Sequence, residues 1–161
     1  MDLWQKLSLS FISIIKFPYL LSISLRQPKK RLSSYYKTTD GGTYIIFRET
    51  FNKKTSRDDP QVFVVHFRLK LLGRNKTLHW MLRRISLLSY PIWSGFPGLR
   101  TKLWTYNQKL FDYIGIYEWS GRTNLKTYIN YLMPIVKFVS IRKSVWYKVY
   151  PGETINKFIK Q

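Results

Sequence analysis

Cysteine and alanine are absent from this chain of 161 residues, and acidic residues are scarce. Without cysteine there can be no disulfide framework and no thiolate metal site, so a reducing compartment fits the composition. Against 8 Asp and Glu stand 28 Lys and Arg, a formal net charge of +20. Such a charge favours polyanionic partners, either nucleic acid or an anionic membrane surface. The positive charge also has a second explanation. The lack of alanine beside abundant Ile, Lys and Asn is what AT-rich coding produces, and under that explanation the charge has no function.

Several familiar catalytic motifs are also missing. There is neither a G-x-x-x-x-G-K-[ST] phosphate loop nor a G-x-G-x-x-G turn. The only histidines, His66 and His79, lack the spacing and the companion carboxylate of a zinc helix. Asp112 and Glu118 are the only carboxylates between residues 60 and 152, and they lie six positions apart on one predicted strand, which disfavours paired-carboxylate hydrolysis. We therefore predict no metal and no cofactor.

The N-terminal stretch lacks an uninterrupted apolar run. Residues 3–25 repeat apolar side chains at helical spacing, but Lys16 and Pro18 interrupt them midway, which disfavours a membrane span. Asp2 and the absence of a small-residue cleavage pattern disfavour a secretory signal. Residues 1–42 are predicted as an amphipathic helix with a basic linker, and 43–161 as the folded domain. We prefer the interpretation that the helix covers its own domain. The alternative is that residues 3–31, which contain the helix and the start of the basic linker, lie on an anionic membrane surface.

Alternating and helical periodicities divide the rest of the chain into elements. Strands are predicted over 43–51, 62–70 and 144–150, helices over 75–93 and 123–139, and a hairpin within 95–119. Pro134 is expected to break or kink the second helix. After an extra N-terminal helix and strand, the order is strand, helix, hairpin, helix, strand. That order predicts an α+β, ferredoxin-like split βαβ fold with a four-stranded antiparallel sheet.

The strand over 62–70 separates apolar from polar side chains. Phe63, Val65 and Phe67 share one face, while His66 and Arg68 point the other way. Two helices cover only one face of the sheet. The other face is expected to carry His66, Arg68, Lys102 and Trp104 and to be covered by a second copy of the chain, with a ligand cavity between the copies.

Three short motifs resemble a known family. Pro97-Gly98, Lys102-Leu103-Trp104-Thr105 and Gly115-Ile116-Tyr117 are similar to motifs of the dimeric α+β barrel superfamily of antibiotic-biosynthesis-monooxygenase-like proteins, and within it the YdhR-like group. The resemblance covers roughly residues 61–152. It implies a dimeric α+β barrel: a homodimer with one buried cleft per subunit. Relatives include cofactor-independent oxygenases of polycyclic phenols and haem-degrading enzymes.

An oxygenase without a cofactor needs a base, a group that holds the substrate anion, and a dry wall. We predict His66 as the catalytic base, because imidazole titrates near neutral pH. Arg68 or Lys102 would hold the anion, and Trp104 and Tyr117 would stack on the ring. Glu118 is a further candidate for substrate binding, although strand parity places it opposite Tyr117. Taken singly, each residue is better explained without catalysis, His66 as a satisfied interior histidine and Lys102 as a surface charge; only their joint occurrence on one face favours a binding cleft.

Two classes of function follow. The first is a cofactor-independent monooxygenase in the cytoplasm that acts on a flat aromatic or polyketide-like substrate. The alternative is a basic, non-enzymatic adaptor that binds an anionic membrane surface, peripherally, or nucleic acid. An RNA-recognition domain ranks third, because residues 115–119 lack the basic start and aromatic spacing of its signature.

Overall fold

The computed structural model describes residues 31–39, 41–52, 55, 58–86 and 96–159. The strands are β1 Tyr35–Lys37, β2 Thr43–Phe51, β3 Pro60–Phe67, β4 Leu99–Asn107, β5 Asp112–Ser120 and β6 Trp146–Pro151. The helices are α1 Lys76–Ile85 and α2 Arg122–Val139, with short 3₁₀ turns at Arg142–Ser144 and Ile155–Phe158. The amphipathic helix predicted over 3–25 lies outside the described residues.

All six strands form one antiparallel sheet in the order β1-β2-β4-β5-β3-β6. The four strands β4-β5-β3-β6, with α1 and α2 as the crossovers, have the strand order of the ferredoxin-like fold. β2 and then β1 extend the sheet beyond β4. The predicted α+β fold is therefore confirmed, including the hairpin between β4 and β5.

One core lies between the sheet and α2. Trp119 and Tyr128 are among its largest fully buried side chains, and their ring centroids are 4.7 Å apart. Phe63 and Val65 of β3 belong to this core, as the alternation predicted. The other members are Phe96, Leu99, Tyr117, Leu125, Leu132, Met133 and Val136.

A second core lies on the reverse face of the sheet and is completed by the same chain. Val62, Val64, Leu103, Ile114 and Ile116 supply the sheet side. The covering side chains are Tyr36 and Tyr44, Ile46 and Ile155. A β-bulge between residues 46 and 48 marks where β2 departs from regular pairing, and such bulges bend a strand. Because this face is already buried by the same chain, it does not need a second copy to cover it. The homodimer stays a prediction.

The ends of several elements differ from the sequence prediction. Residues 35–37, assigned to a linker, form β1 because Tyr36 is buried beside Tyr44. β3 ends at Phe67, and the chain continues to Leu69, which makes only an isolated bridge to Ser140. α2 continues unbroken through Pro134, since buried side chains on both sides of the proline offset the lost backbone hydrogen bond.

Helix α1 is shorter than the helix predicted over 75–93, and most of its side chains are exposed or only partly buried. Asn75 caps its N-terminus, and the Asn75 Oδ1 atom accepts a hydrogen bond from the Leu78 backbone at 3.1 Å. Only His79 is buried within α1, whereas the apolar side chains of Leu78, Met81 and Ile85 are exposed. No helix among the described residues is long and apolar enough to cross a membrane.

Candidate ligand-binding site

A cleft of about 190 Å³ lies between the sheet and both helices. Its walls are almost wholly apolar. The sheet contributes Phe47, Phe67, Lys102, Trp104, Thr105, Tyr113, Ile114, Gly115 and Tyr117, with Leu69 just beyond β3; Leu82, Arg83 and Ser86 come from α1 and its C-terminal cap, and Leu132, Ile135, Val136 and Val139 from α2. Apolar cavities of about 150 Å³ bind benzene. The cleft therefore has room for a flat molecule of one or two rings.

Three of the predicted site residues meet in this cleft. Lys102 of β4 pairs with Tyr117 of β5, and Trp104 pairs with Gly115. Directly paired residues share a face, and Tyr117 belongs to the core beneath α2. Lys102 and Trp104 therefore lie on the helix-covered face of the sheet. The prediction that they share the other face with His66 is wrong.

The Lys102 side chain is almost completely enclosed, with 2 % of the residue exposed. Its amine nitrogen lies 4.2 Å from the ring centroid of Trp104 and 5.0 Å from that of Tyr117. Burial, and then the positive charge of Arg48, hold the pKa of Lys102 well below its ordinary value. Burial also raises the pKa of Tyr117, so this phenol stays neutral. The described lining of the cleft contains no carboxylate.

Arg48 connects the sheet to the C-terminal end of α1. Its guanidinium donates from Nη2 to the Arg83 carbonyl oxygen at 2.9 Å and from Nη1 to Ser86 Oγ at 2.7 Å. A cation at this end of a helix is favoured by the helix dipole and by the unpaired carbonyls there. Arg48 thus holds α1 over the cleft and fixes a positive charge near Lys102.

His79 anchors the other part of α1. Its Nε2 lies 3.1 Å from the Gly73 carbonyl oxygen, so Nε2 donates. Its Nδ1 lies 2.7 Å from the Tyr113 hydroxyl and therefore accepts from that group. Both ring nitrogens are engaged, which makes His79 a buried structural histidine.

A glycine allows the floor of the cleft to form. A Cβ atom at Gly115 would lie 2.7 Å from Cε2 and 2.9 Å from the hydroxyl oxygen of Tyr117. The Tyr117 ring therefore lies directly across Gly115. Any side chain at residue 115 would displace that ring towards the space between sheet and helices.

His66 lies on the opposite face of the sheet, away from the cleft. Its Nε2 is 3.1 Å from Asp112 Oδ2, its Nδ1 is 2.6 Å from the Ser144 carbonyl oxygen, and its ring stacks on Trp146 at 5.3 Å. Arg68 Nη2 also donates to Asp112 Oδ2, at 3.3 Å. His66 and Arg68 therefore bind Asp112 rather than sharing a cleft with Lys102. The prediction that His66 and Arg68 share one face of the sheet with Lys102 and Trp104 is wrong, because the register places His66 and Lys102 on opposite faces.

Glu118 also lies on the face away from the cleft, as its parity relative to Tyr117 indicated. Its Oε1 lies 3.1 Å from Arg100 Nε, and its Oε2 accepts from the Ile155 backbone nitrogen at 2.8 Å. These contacts hold the C-terminal 3₁₀ turn against the second core. Glu118 is thus placed to stabilise the fold and does not reach the cleft.

The sequence reasoning missed Arg48 and Gly115. The available signal was the register of the hairpin, which places Trp104 opposite Gly115 and so brings a glycine into the aromatic wall. For Arg48 no local signal existed, since its role depends on a bulged strand meeting the end of α1. Among the described residues, no group of three or more His, Cys, Asp and Glu side chains comes together as metal ligands.

Comparisons with solved structures find the same fold at very low sequence identity. A major regulator of staphylococcal pathogenesis matches with a TM-score of 0.50 at 10 % identity, over 85 % of this chain and 94 % of that one. A haem-degrading enzyme from Listeria monocytogenes matches with a TM-score of 0.49 at 11 % identity, over 83 % and 92 % of the two chains. An uncharacterised ferredoxin-fold protein from the same organism, related to antibiotic biosynthesis monooxygenases, has a TM-score of 0.49 at 11 % identity, over 86 % and 89 %.

No protein-family model matches the sequence, and no curated protein matches it. The chain is a ferredoxin-like α+β protein, and solved structures similar to it include relatives of antibiotic-biosynthesis monooxygenases, as the resemblance predicted. The narrower YdhR-like resemblance stays a prediction. At sequence identities of 10–11 %, the similarity to these solved structures shows the fold alone.

Proposed function

We propose that the protein binds a flat aromatic or polyketide-like molecule in the cleft and acts on it as a monooxygenase that uses no cofactor. The observation that supports this most is the cleft itself: an apolar space of about 190 Å³ with the Lys102 amine buried in its wall. Ligand sites have this construction, an apolar lining with a few polar groups that orient the ligand. Trp104 and Tyr117 offer ring faces, and Lys102 lies where it contacts an oxygen atom of the ligand.

Haem, which one of the similar proteins degrades, does not suit this cleft. The chain has only two histidines, and neither lines it: His79 is bonded through both ring nitrogens and His66 faces away. Tyr113 and Tyr117 are held as neutral phenols by burial, which raises the pKa of each, so neither supplies a phenolate ligand. The residues present therefore do not fit a haem, and no step through haem is proposed.

Calorimetric titration with naphthol tests the binding. We expect a dissociation constant of about 10⁻⁵ M and a negative heat-capacity change, because the ligand removes apolar surface from water. Cyclohexanol, which is small and not flat, should bind at least about tenfold more weakly because it cannot stack on Trp104 and Tyr117. Absence of heat at two well-separated temperatures, with naphthol up to its solubility limit, would exclude the cleft as an aromatic site.

A separate surface favours a second candidate function, docking on an anionic membrane. Leu71 and Phe138 are 92 % and 79 % exposed, and the Lys70 amine, which donates to the Phe138 carbonyl oxygen at 2.7 Å, brings them together. The neighbouring basic residues are Lys137, Arg142 and Lys143. Projecting apolar side chains among basic ones fit a bilayer surface of anionic lipids, where each Lys or Arg contributes about 1 kcal/mol.

Co-sedimentation with vesicles tests this second function. The protein should bind phosphatidylcholine vesicles that contain phosphatidylserine, and not vesicles of phosphatidylcholine alone. Phe138→Asp together with Leu71→Asp should weaken that binding at least about tenfold, since both side chains would otherwise enter the interface. Ile45→Asp together with Val149→Asp, at exposed residues of β2 and β6, adds the same two negative charges; it is the matched control and should bind as the original chain does. Equal binding by the double variant would exclude this surface.

A further inference from the structure

Lys102 has the environment of a reactive amine rather than of a simple anion-binding lysine. It comes from a central strand, is 2 % exposed, and opens onto an apolar cleft between two aromatic rings. A lysine that holds an anion must keep its charge, so its ammonium needs water or an anion to solvate it. Complete burial removes that solvation and disfavours the charged form.

The charges around the cleft favour the neutral amine further. Arg48 is fixed nearby by Arg83 and Ser86, and Arg83 itself lines the cleft. Tyr113 and Tyr117 supply no anion, because burial raises the pKa of both phenols. The ring faces of Trp104 and Tyr117 act in the opposite direction and favour an ammonium, but their effect is small beside that of complete burial.

A lysine that an apolar pocket and a neighbouring cationic group hold in its neutral form is an activated nucleophile. We propose that Lys102 forms an imine with the aldehyde or ketone carbonyl of an apolar ligand in the cleft. This inference rests on the proposed function and adds the ligand's reactive group, since polyketide-like molecules carry carbonyls. The flat ring system lies against Trp104 and Tyr117, and the carbonyl carbon meets the Lys102 nitrogen.

The reaction is a condensation and needs no oxidant or reductant. The nitrogen lone pair attacks the carbonyl carbon, and a carbon–nitrogen bond forms while the carbonyl π bond becomes a carbinolamine hydroxyl. The hydroxyl then leaves as water, which carries away both hydrogens of the original amine. A carbon–nitrogen double bond to Lys102 remains, and hydrolysis reverses it. The dry wall of the cleft favours the imine over its hydrolysis.

Trapping with naphthaldehyde tests the proposal. The full chain is incubated with naphthaldehyde at neutral pH, cyanoborohydride reduces any imine to a stable secondary amine, and peptide mass spectrometry locates the adduct. We expect Lys102 to be modified at least about tenfold faster than the exposed Lys126, and its rate to reach its plateau at a lower pH. Excess naphthol should protect Lys102 and leave Lys126 unprotected, because only Lys102 lies in the cleft.

Two variants and one competition measurement separate the outcomes. Lys102→Met should abolish the fast adduct, while Lys126→Met should leave it unchanged. If naphthaldehyde displaces naphthol in calorimetry but Lys102 is not modified faster than Lys126, imine formation is wrong and the proposed binding function stands. If neither compound binds, both are wrong. Adduct mapping on the original chain does not depend on how well the variants fold.

Discussion

Asp112→Ala is expected to lower the free energy of unfolding by about 3 kcal/mol at neutral pH, measured by urea denaturation. Asp112 is buried and accepts from His66, Arg68 and Tyr44, so its removal leaves three donors facing an apolar side chain. Breaking a buried ion pair by removing one partner costs about 3–5 kcal/mol. The lower end applies because the Arg68 side chain is partly exposed and can turn towards water.

Asp112→Asn keeps an oxygen acceptor and should cost only about 1 kcal/mol. Burial alone raises the pKa of Asp112, but the hydrogen bond and charge of His66, followed by hydrogen bonds from Arg68 and Tyr44, hold it below its ordinary value. A carboxylate with a lowered folded pKa contributes stability above its unfolded pKa and loses it as the pH falls through the folded one. The difference between Asp112→Asn and the original chain should therefore shrink below roughly pH 4.

The Asp112 variants also test where His66 acts. Since His66 and Asp112 lie on the face away from the cleft, folded Asp112→Ala should bind naphthol within about twofold of the original affinity. If the loss of naphthol binding free energy in Asp112→Ala exceeded the loss of unfolding free energy, His66 would have to belong to the ligand site. Unchanged stability of Asp112→Ala would show that the His66–Asp112–Arg68 contacts do not form.

Gly115→Val is expected to weaken naphthol binding at least about a hundredfold, or about 2.7 kcal/mol. The added Cβ would lie 2.7 Å from the Tyr117 ring, so the ring must move into the cleft and take up part of its 190 Å³. Overpacking of this kind costs about 1–3 kcal/mol of stability. Valine suits a strand, so the variant should still fold.

Val64→Leu is the matched control for Gly115→Val. Val64 is fully buried on a central strand but faces the second core, so its enlargement also overpacks the protein. We expect it to lower stability by a similar amount and to leave naphthol affinity unchanged. Equal loss of affinity in both variants would mean that general destabilisation, rather than filling of the cleft, controls binding.

The sequence predicts the fold well because its signals are local. The alternation around Val65, the helical spacing that begins at Asn75 and the hairpin pattern within 95–119 each reveal an element from neighbouring residues alone. Together with the order of elements they specify the ferredoxin-like sheet. The prediction fails where a residue's environment depends on distant partners, as with Tyr36, which becomes buried only because β2 curls back over the sheet.

The site was harder to predict than the fold because side-chain alternation fixes parity within one strand only. Relating Lys102 of β4 to His66 of β3 requires the register of β5 between them, where Tyr117 pairs with both Lys102 and Phe63. Phe63 faces the helices, so Lys102 must do so as well. The pairing decides the face, and no pattern within residues 99–107 supplies it.

Methyl resonances on the two faces of the sheet test most directly whether the cleft is the ligand site. Leu132, Val136 and Val139 line the cleft, whereas Val62, Val64 and Leu103 lie in the second core. On titration with naphthol, we expect the methyl chemical shifts of Leu132, Val136 and Val139 to change and to saturate with one dissociation constant. The methyl signals of Val62, Val64 and Leu103 should stay unchanged. Shifts confined to the second core, or no saturable shift at either face, would contradict a binding site between the sheet and the helices.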